Sequence, residues 1–136
     1  LIEVMPGEGA AAEGEKEPMT CSVTPVIKVL FLGSDEIGRG DRELGVALAK
    51  AFLYACTENE DKPYCMVFMN SAVRLVTEND QTVEHIQKLE SEGVEVVVCG
   101  TCLDFYGLKD KLRAGRVSNM YEIQGILMSA DRLVST

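Results

Sequence analysis

Cys99 and Cys102 stand in the run Cys-Gly-Thr-Cys, the spacing in this chain best suited to chemistry. A cysteine thiolate accepts sulfane sulfur as a persulfide or attacks a disulfide, and a second thiol nearby can resolve the product by closing a disulfide. The motif follows Gly93 and the apolar run Val94-Glu95-Val96-Val97-Val98, which reads as a buried strand. Both thiols therefore lie just past a strand's C-terminal end, the edge of an open α/β sheet where ligands bind. A helix is expected over Phe105–Arg113, with Cys102 near its start and Cys99 one turn earlier. The helix dipole and its free N–H groups favour a thiolate there, which points to Cys102 as the carrier and Cys99 as its helper. Lys109, Lys111, Arg113 and Arg74 are candidates to add positive potential. The competing reading makes both cysteines small buried hydrophobes.

Other sulfur chemistries fit less well. In a thioredoxin-type oxidoreductase the CxxC follows an earlier strand, and the chain contains no Trp to precede it. A zinc site needs two more ligands. Cys56 falls in a helix core pattern and Cys65 in a strand, so both read as packing residues and no metal is expected. His85, the single histidine, falls on a helix away from the thiols, which argues against a Cys–His hydrolase.

Ser34 and Asp35 follow the first strand, Asn70 and Ser71 the second, and Asn119 the fourth. In a parallel sheet these ends share one edge, so we expect Ser34, Asp35, Asn70, Ser71, Cys99, Cys102 and Asn119 to wall one pocket. Gly33, Gly38 and Gly40 resemble a phosphate-cradling loop, but the chain has neither GxGxxG nor GxxxxGK[ST], and Asp35 and Glu36 would repel phosphate. No cofactor is expected. Glu60 and Asp61 read as a solvated pair before Pro63, whereas Asp35 is placed to orient a partner or cap a turn.

The elements that must position these residues alternate. Strands are expected at Val26–Leu32, Tyr64–Met69, Val94–Cys99, Arg116–Ser118 and Arg132–Val134. Helices are expected at Asp41–Cys56, Asp80–Glu92 and Met120–Ala130, besides Phe105–Arg113. Leu44, Leu48, Ala51, Phe52 and Ala55 recur at helical spacing and read as the buried face of the first helix, with Asp41 as its N-cap. Gly93 stops the second helix, and Asn119 with Glu122 has capping-box spacing before the last. Alternation of this kind predicts βαβ units around a mostly parallel sheet.

The chain has 136 residues, enough for one core, and 46% hydrophobic content. A formal net charge of −9 argues against nucleic acid as a partner. No apolar run approaches the ~20 residues that span a bilayer, so no membrane association is expected. Five cysteines, an odd number, and no recognisable export signal point to the reducing cytoplasm. Residues 1–24 carry three glycines, three consecutive alanines and five glutamates against one lysine. They read as a flexible acidic linker or arm, with Cys21 an incidental thiol, ahead of a domain over residues 25–136. The chain starts at Leu1 without an initiator Met, which suggests a piece or processed form of a longer protein.

The segments VLFLGSDEIGRGDRELGVALAKAFLYA, VFMNSAVRLV, GVEVVVCGTCLDFYGLKDKL and VSNMYEI, in that order, resemble the C-terminal domain of YedF-type selenium-metabolism proteins, within the DsrE/DsrF-like superfamily. The resemblance spans residues 26–134. It implies a three-layer α/β/α sandwich around a five-stranded parallel sheet, an active-site cysteine after strand three, a homo-oligomer, and transfer of persulfide sulfur between donor and acceptor proteins. It also implies an upstream TusA-like domain, with residues 1–24 as the interdomain linker. The family's spacing can select Cys99 rather than Cys102 as the carrier. Ala72 stands where family members often carry Gly, which bears on any role that needs close backbone approach there. The leading expectation is a sulfur or selenium carrier, or sulfurtransferase-like protein, using a CGTC persulfide. The alternatives are a non-catalytic module binding a small ligand or a partner, and a thiol-disulfide redox protein.

Overall fold

The computed structural model describes residues 26–136. The expected linker and Cys21 lie outside the described residues. Five strands, β1 (Lys28–Leu32), β2 (Cys65–Phe68), β3 (Glu95–Cys99), β4 (Arg116–Ser118) and β5 (Arg132–Ser135), form one sheet in the order β4-β3-β2-β1-β5. Every pairing is parallel. Central β2 is buried at all four positions, as a strand covered on both faces must be.

Side-chain alternation divides the core. Leu30, Leu32, Met66, Phe68, Val96 and Val98 face α1 (Arg42–Glu58) and α2 (Asp80–Ser91) through Ala49, Leu53, Ile86 and Leu89. Val29, Cys65, Val67, Val97 and Cys99 face the other way, onto Ile123 of α4 (Met120–Ser129). This is the expected α/β architecture, with helices on both faces of a parallel sheet. Asp41 caps α1, its carboxylate accepting the Leu44 N–H at 3.0 Å. Asn119 caps α4 through the Glu122 N–H at 2.9 Å. The reciprocal half of that capping box is missing, because the Glu122 carboxylate turns to Arg116 and Ser118 instead. Gly93, at φ 98, ends the turn after α2.

Two expectations are corrected, and one element is added. The buried line of α1 is Gly45, Ala49, Leu53 and Thr57, with Phe52 half-buried. Leu44, Leu48, Ala51 and Ala55 are exposed. The helix carries two apolar stripes, and its close packing against α2 and the sheet selects the one with smaller residues. The helix expected at Phe105–Arg113 begins earlier: α3 spans Gly100–Phe105, followed by a 3₁₀ turn at Lys109–Lys111. Cys99 itself caps α3, and Gly107, at φ 68, breaks the path beyond it. The segment after β2, to which the sequence assigned no element, is a 3₁₀ helix over Asn70–Val76 that buries Ala72, Val73, Leu75 and Val76.

Candidate functional site

The site is built where β3 turns into α3. Cys99 leaves the strand in an extended conformation, and its Sγ accepts the Cys102 N–H at 3.4 Å. A Cβ on Gly100 would lie 3.0 Å from Val117 Cγ1 and 3.1 Å from the Ser118 carbonyl oxygen. Glycine between the cysteines therefore lets the turn lie against β4. Cys99 is 2% exposed and belongs to the α4 side of the core, whereas half-buried Cys102 packs against both core clusters.

Asn70 opens the 3₁₀ helix with φ 55, a left-handed conformation that few residues other than glycine adopt. This aims its backbone N–H at Cys102 Sγ, 3.1 Å away. The Tyr106 hydroxyl donates to Asn70 Oδ1 at 3.0 Å and so holds the asparagine from the other side. The Arg74 guanidinium covers the Tyr106 ring, 4.8 Å from its centroid. Tyr106 was missed in the sequence. Its signal was available, because it lies four residues beyond Cys102, the spacing of neighbours on one helical face.

Ser34, Asp35 and Ser71 form an adjoining cluster. Ser71 Oγ accepts the Asp35 N–H at 3.2 Å and lies 3.4 Å from Ser34 Oγ, which accepts the Glu36 N–H at 3.0 Å. The buried Asp35 carboxylate receives both terminal nitrogens of Arg42, at 3.1 and 2.8 Å. Burial alone would raise the Asp35 carboxyl, but hydrogen bonds and charge from Arg42, with help from Ser71, hold it below the usual carboxylate range. A cavity of about 260 Å³ opens beside this ion pair, lined by Asp35, Arg42, Val46, Arg74, Leu75, Glu78 and Asn79. Asn119 follows β4, whose Ser118 pairs with Cys99, yet its side-chain oxygen is committed to capping α4. Of the seven expected residues, contacts tie Cys99, Cys102 and Asn70 into one unit and Ser34, Asp35 and Ser71 into a second. The Asn70–Ser71 peptide joins the two.

The electrostatics correct the expectation of an acidified thiol. Burial, then the neighbouring Cys99 side chain, pushes the Cys102 thiol up, and the Asn70 N–H only partly opposes them. The six residues of α3 supply only a short dipole, and desolvation by burial is the largest influence on the thiol. Of the expected cations, Lys109 pairs with Asp104 and Arg113 with Asp80, whereas Arg74 stays beside the site over the Tyr106 ring. Cys56 and Cys65 pack into the two core clusters, and burial pushes Cys65 up to about 11. His85 lies against Tyr54 across α1 and α2, their ring centroids 5.5 Å apart.

The DsrE/DsrF-like family profile matches residues 28–136. The chain belongs to that family. Among solved structures it is similar to the ychN protein from E. coli, at 19% identity and a TM-score of 0.60, covering 82% of this chain and all of that one. It is also similar to BT1422 from Bacteroides thetaiotaomicron, a conserved protein of unknown function, at 14% identity and a TM-score of 0.57, covering 80% and 94%. At these identities the likeness shows the DsrE-like fold alone. No curated protein matches the chain. Among the described residues, no helix is long and apolar enough to cross a membrane.

Proposed function

We propose that this DsrE-like protein is a sulfur carrier of the sulfurtransferase-like kind, with a persulfide on Cys102 and selenium as an alternative cargo. The observation that carries the reading is the Asn70 N–H 3.1 Å from Cys102 Sγ, a fixed donor for the charge of a thiolate or a persulfide. Family membership supports it, since the family is associated with sulfur relay. Cys102 is the accessible thiol of the pair, which favours it over Cys99 as the point of delivery.

The same reading takes donor and acceptor proteins as partners in a cytoplasmic YedF-type protein. Residues 1–24 would then link an upstream TusA-like domain to this one. It includes self-association as well, supported by Leu44 and Leu48, one turn apart and both exposed on α1.

Loading with inorganic polysulfide, alkylation and peptide mapping tests the assignment. The expected result is one added sulfur on Cys102, retained as a site in Cys99→Ser and absent in Cys102→Ser. Equal loading of Cys102→Ser and the wild type would sink it. The raised Cys102 thiol favours a second reading, a non-catalytic module whose cavity beside Asp35 and Arg42 binds a small ligand or partner. On that reading both CGTC thiols are slow toward sulfur donors.

A further inference from the structure

The two CGTC sulfurs hold unequal positions on one helical turn. Cys99 is the N-cap of α3, and Cys102 stands three residues on, the spacing at which side chains on a helix meet. The Cys102 N–H to Cys99 Sγ contact at 3.4 Å fixes the Cys99 sulfur over the first turn. Only 2% exposed, Cys99 is closed to an outside acceptor but remains beside Cys102. Gly100 allows this arrangement by lying against Val117 and the Ser118 carbonyl.

We propose that Cys99 discharges the Cys102 persulfide within the chain, releasing its outer sulfur as hydrosulfide when no acceptor takes it. This rests on the carrier reading of Cys102 given above. The Cys99 thiolate attacks Cys102 Sγ, the inner sulfur of the persulfide. A Cys99–Cys102 disulfide forms as the bond to the outer sulfur breaks, and that sulfur leaves with the bonding pair. The balance is persulfide plus thiol to disulfide plus hydrogen sulfide. The outer sulfur is reduced, Cys99 is oxidised, and the Cys99 proton ends on the leaving sulfide. No external oxidant enters. Hydrosulfide is a weaker base than an alkyl thiolate and leaves more readily. A small dithiol reductant would reopen the disulfide and return the protein to its starting state.

The geometry divides the labour unusually for a CxxC. The N-cap cysteine is the buried one, so the more accessible second cysteine takes the cargo and the first resolves it. The outcome is an outlet that limits how long a loaded protein holds reactive sulfur. Delivery to an acceptor then competes with release.

The full chain is loaded with inorganic polysulfide, freed of excess by desalting without reductant, and sampled over time. Intact mass and a sulfide assay are read together. The wild type should gain one sulfur, then lose it as sulfide while its mass falls to that of the protein less two hydrogens. Cys99→Ser should gain the same sulfur and release it at least about tenfold more slowly, as loss of a neighbouring nucleophile implies. Serine is a preferred N-cap residue, so this variant keeps the start of α3. The wild-type disulfide mass is a readout that needs no variant. A wild type that keeps its sulfur as long as Cys99→Ser, or loses it without forming the disulfide, overturns the proposal and leaves the carrier reading standing. A wild type that never gains sulfur on Cys102 overturns the carrier reading and this proposal with it.

Discussion

Asn70 reaches Cys102 from a left-handed backbone, its N–H 3.1 Å from the sulfur at φ 55. An L-residue with a Cβ pays ~1–2 kcal/mol in that region, and asparagine is among the few that visit it routinely. Asn70→Ala should therefore cost about 1 kcal/mol of stability, and Asn70→Gly less, since glycine adopts the conformation freely. Urea denaturation of the two variants measures the difference. Identical midpoints would mean that the backbone there carries no conformational cost.

Tyr106 holds Asn70 through its hydroxyl, 3.0 Å from Oδ1. Tyr106→Phe deletes that bond and leaves the ring under Arg74. A neutral hydrogen bond contributes about 1 kcal/mol, so the loss of stability should be of that order or smaller. The more telling change is at Cys102. With Asn70 less firmly held, the pH midpoint for Cys102 alkylation should move upward, since the N–H is what opposes burial there. An unchanged alkylation profile would separate Tyr106 from the reactivity of the thiol.

Alkaline pH should weaken the fold. Burial pushes the Cys65 thiol up to about 11, and burial with the Cys99 side chain pushes Cys102 up. Both thiols then bind protons more tightly folded than unfolded. Their linkage contribution is complete below the unfolded thiol pKa of about 8.5 and is lost as pH rises through the folded values. The urea midpoint should accordingly be level through neutrality and fall between pH 9 and about 11. Cys65→Val should flatten part of that fall, as it removes one titrating group from an apolar site. A decline of equal steepness in the variant would assign the effect elsewhere.

Asp35 gives the opposite dependence. Arg42 holds its carboxyl below the usual range despite burial, so ionised Asp35 stabilises the fold above the unfolded pKa of about 3.9. That contribution disappears as pH falls through the folded value. Asp35→Asn should be less stable than the wild type at pH 7, and the gap should close in acid. Salt should narrow it too, because Arg42 is open to solvent. Thermal melts across pH and salt read both effects, and a gap independent of pH would point to packing rather than charge.

Much of the fold was legible because it rests on local periodicity. The continuous apolar runs of β2 and β3, the caps at Asp41 and Asn119, and the stop at Gly93 are written within a few residues of where they act. The stripe that α1 buries was not legible. Leu44 and Leu48 satisfy helical spacing as well as Ala49 and Leu53 do, and only the close approach of α2 and the sheet chooses between them. The start of α3 was hidden for a related reason: the cap is the Cys99 thiol, a weaker acceptor than the oxygen of the usual capping residues.

The CGTC spacing and its place after a buried strand were determined by the sequence alone, since both depend on neighbours along the chain. Tertiary structure alone decided which sulfur is accessible, that Asn70 and Tyr106 stand behind it, and that its thiol is raised rather than acidified. The physical reason is that desolvation and hydrogen bonding are sums over groups that meet only after folding. Asn70 lies 32 positions from Cys102 in the chain and 3.1 Å from its sulfur in space.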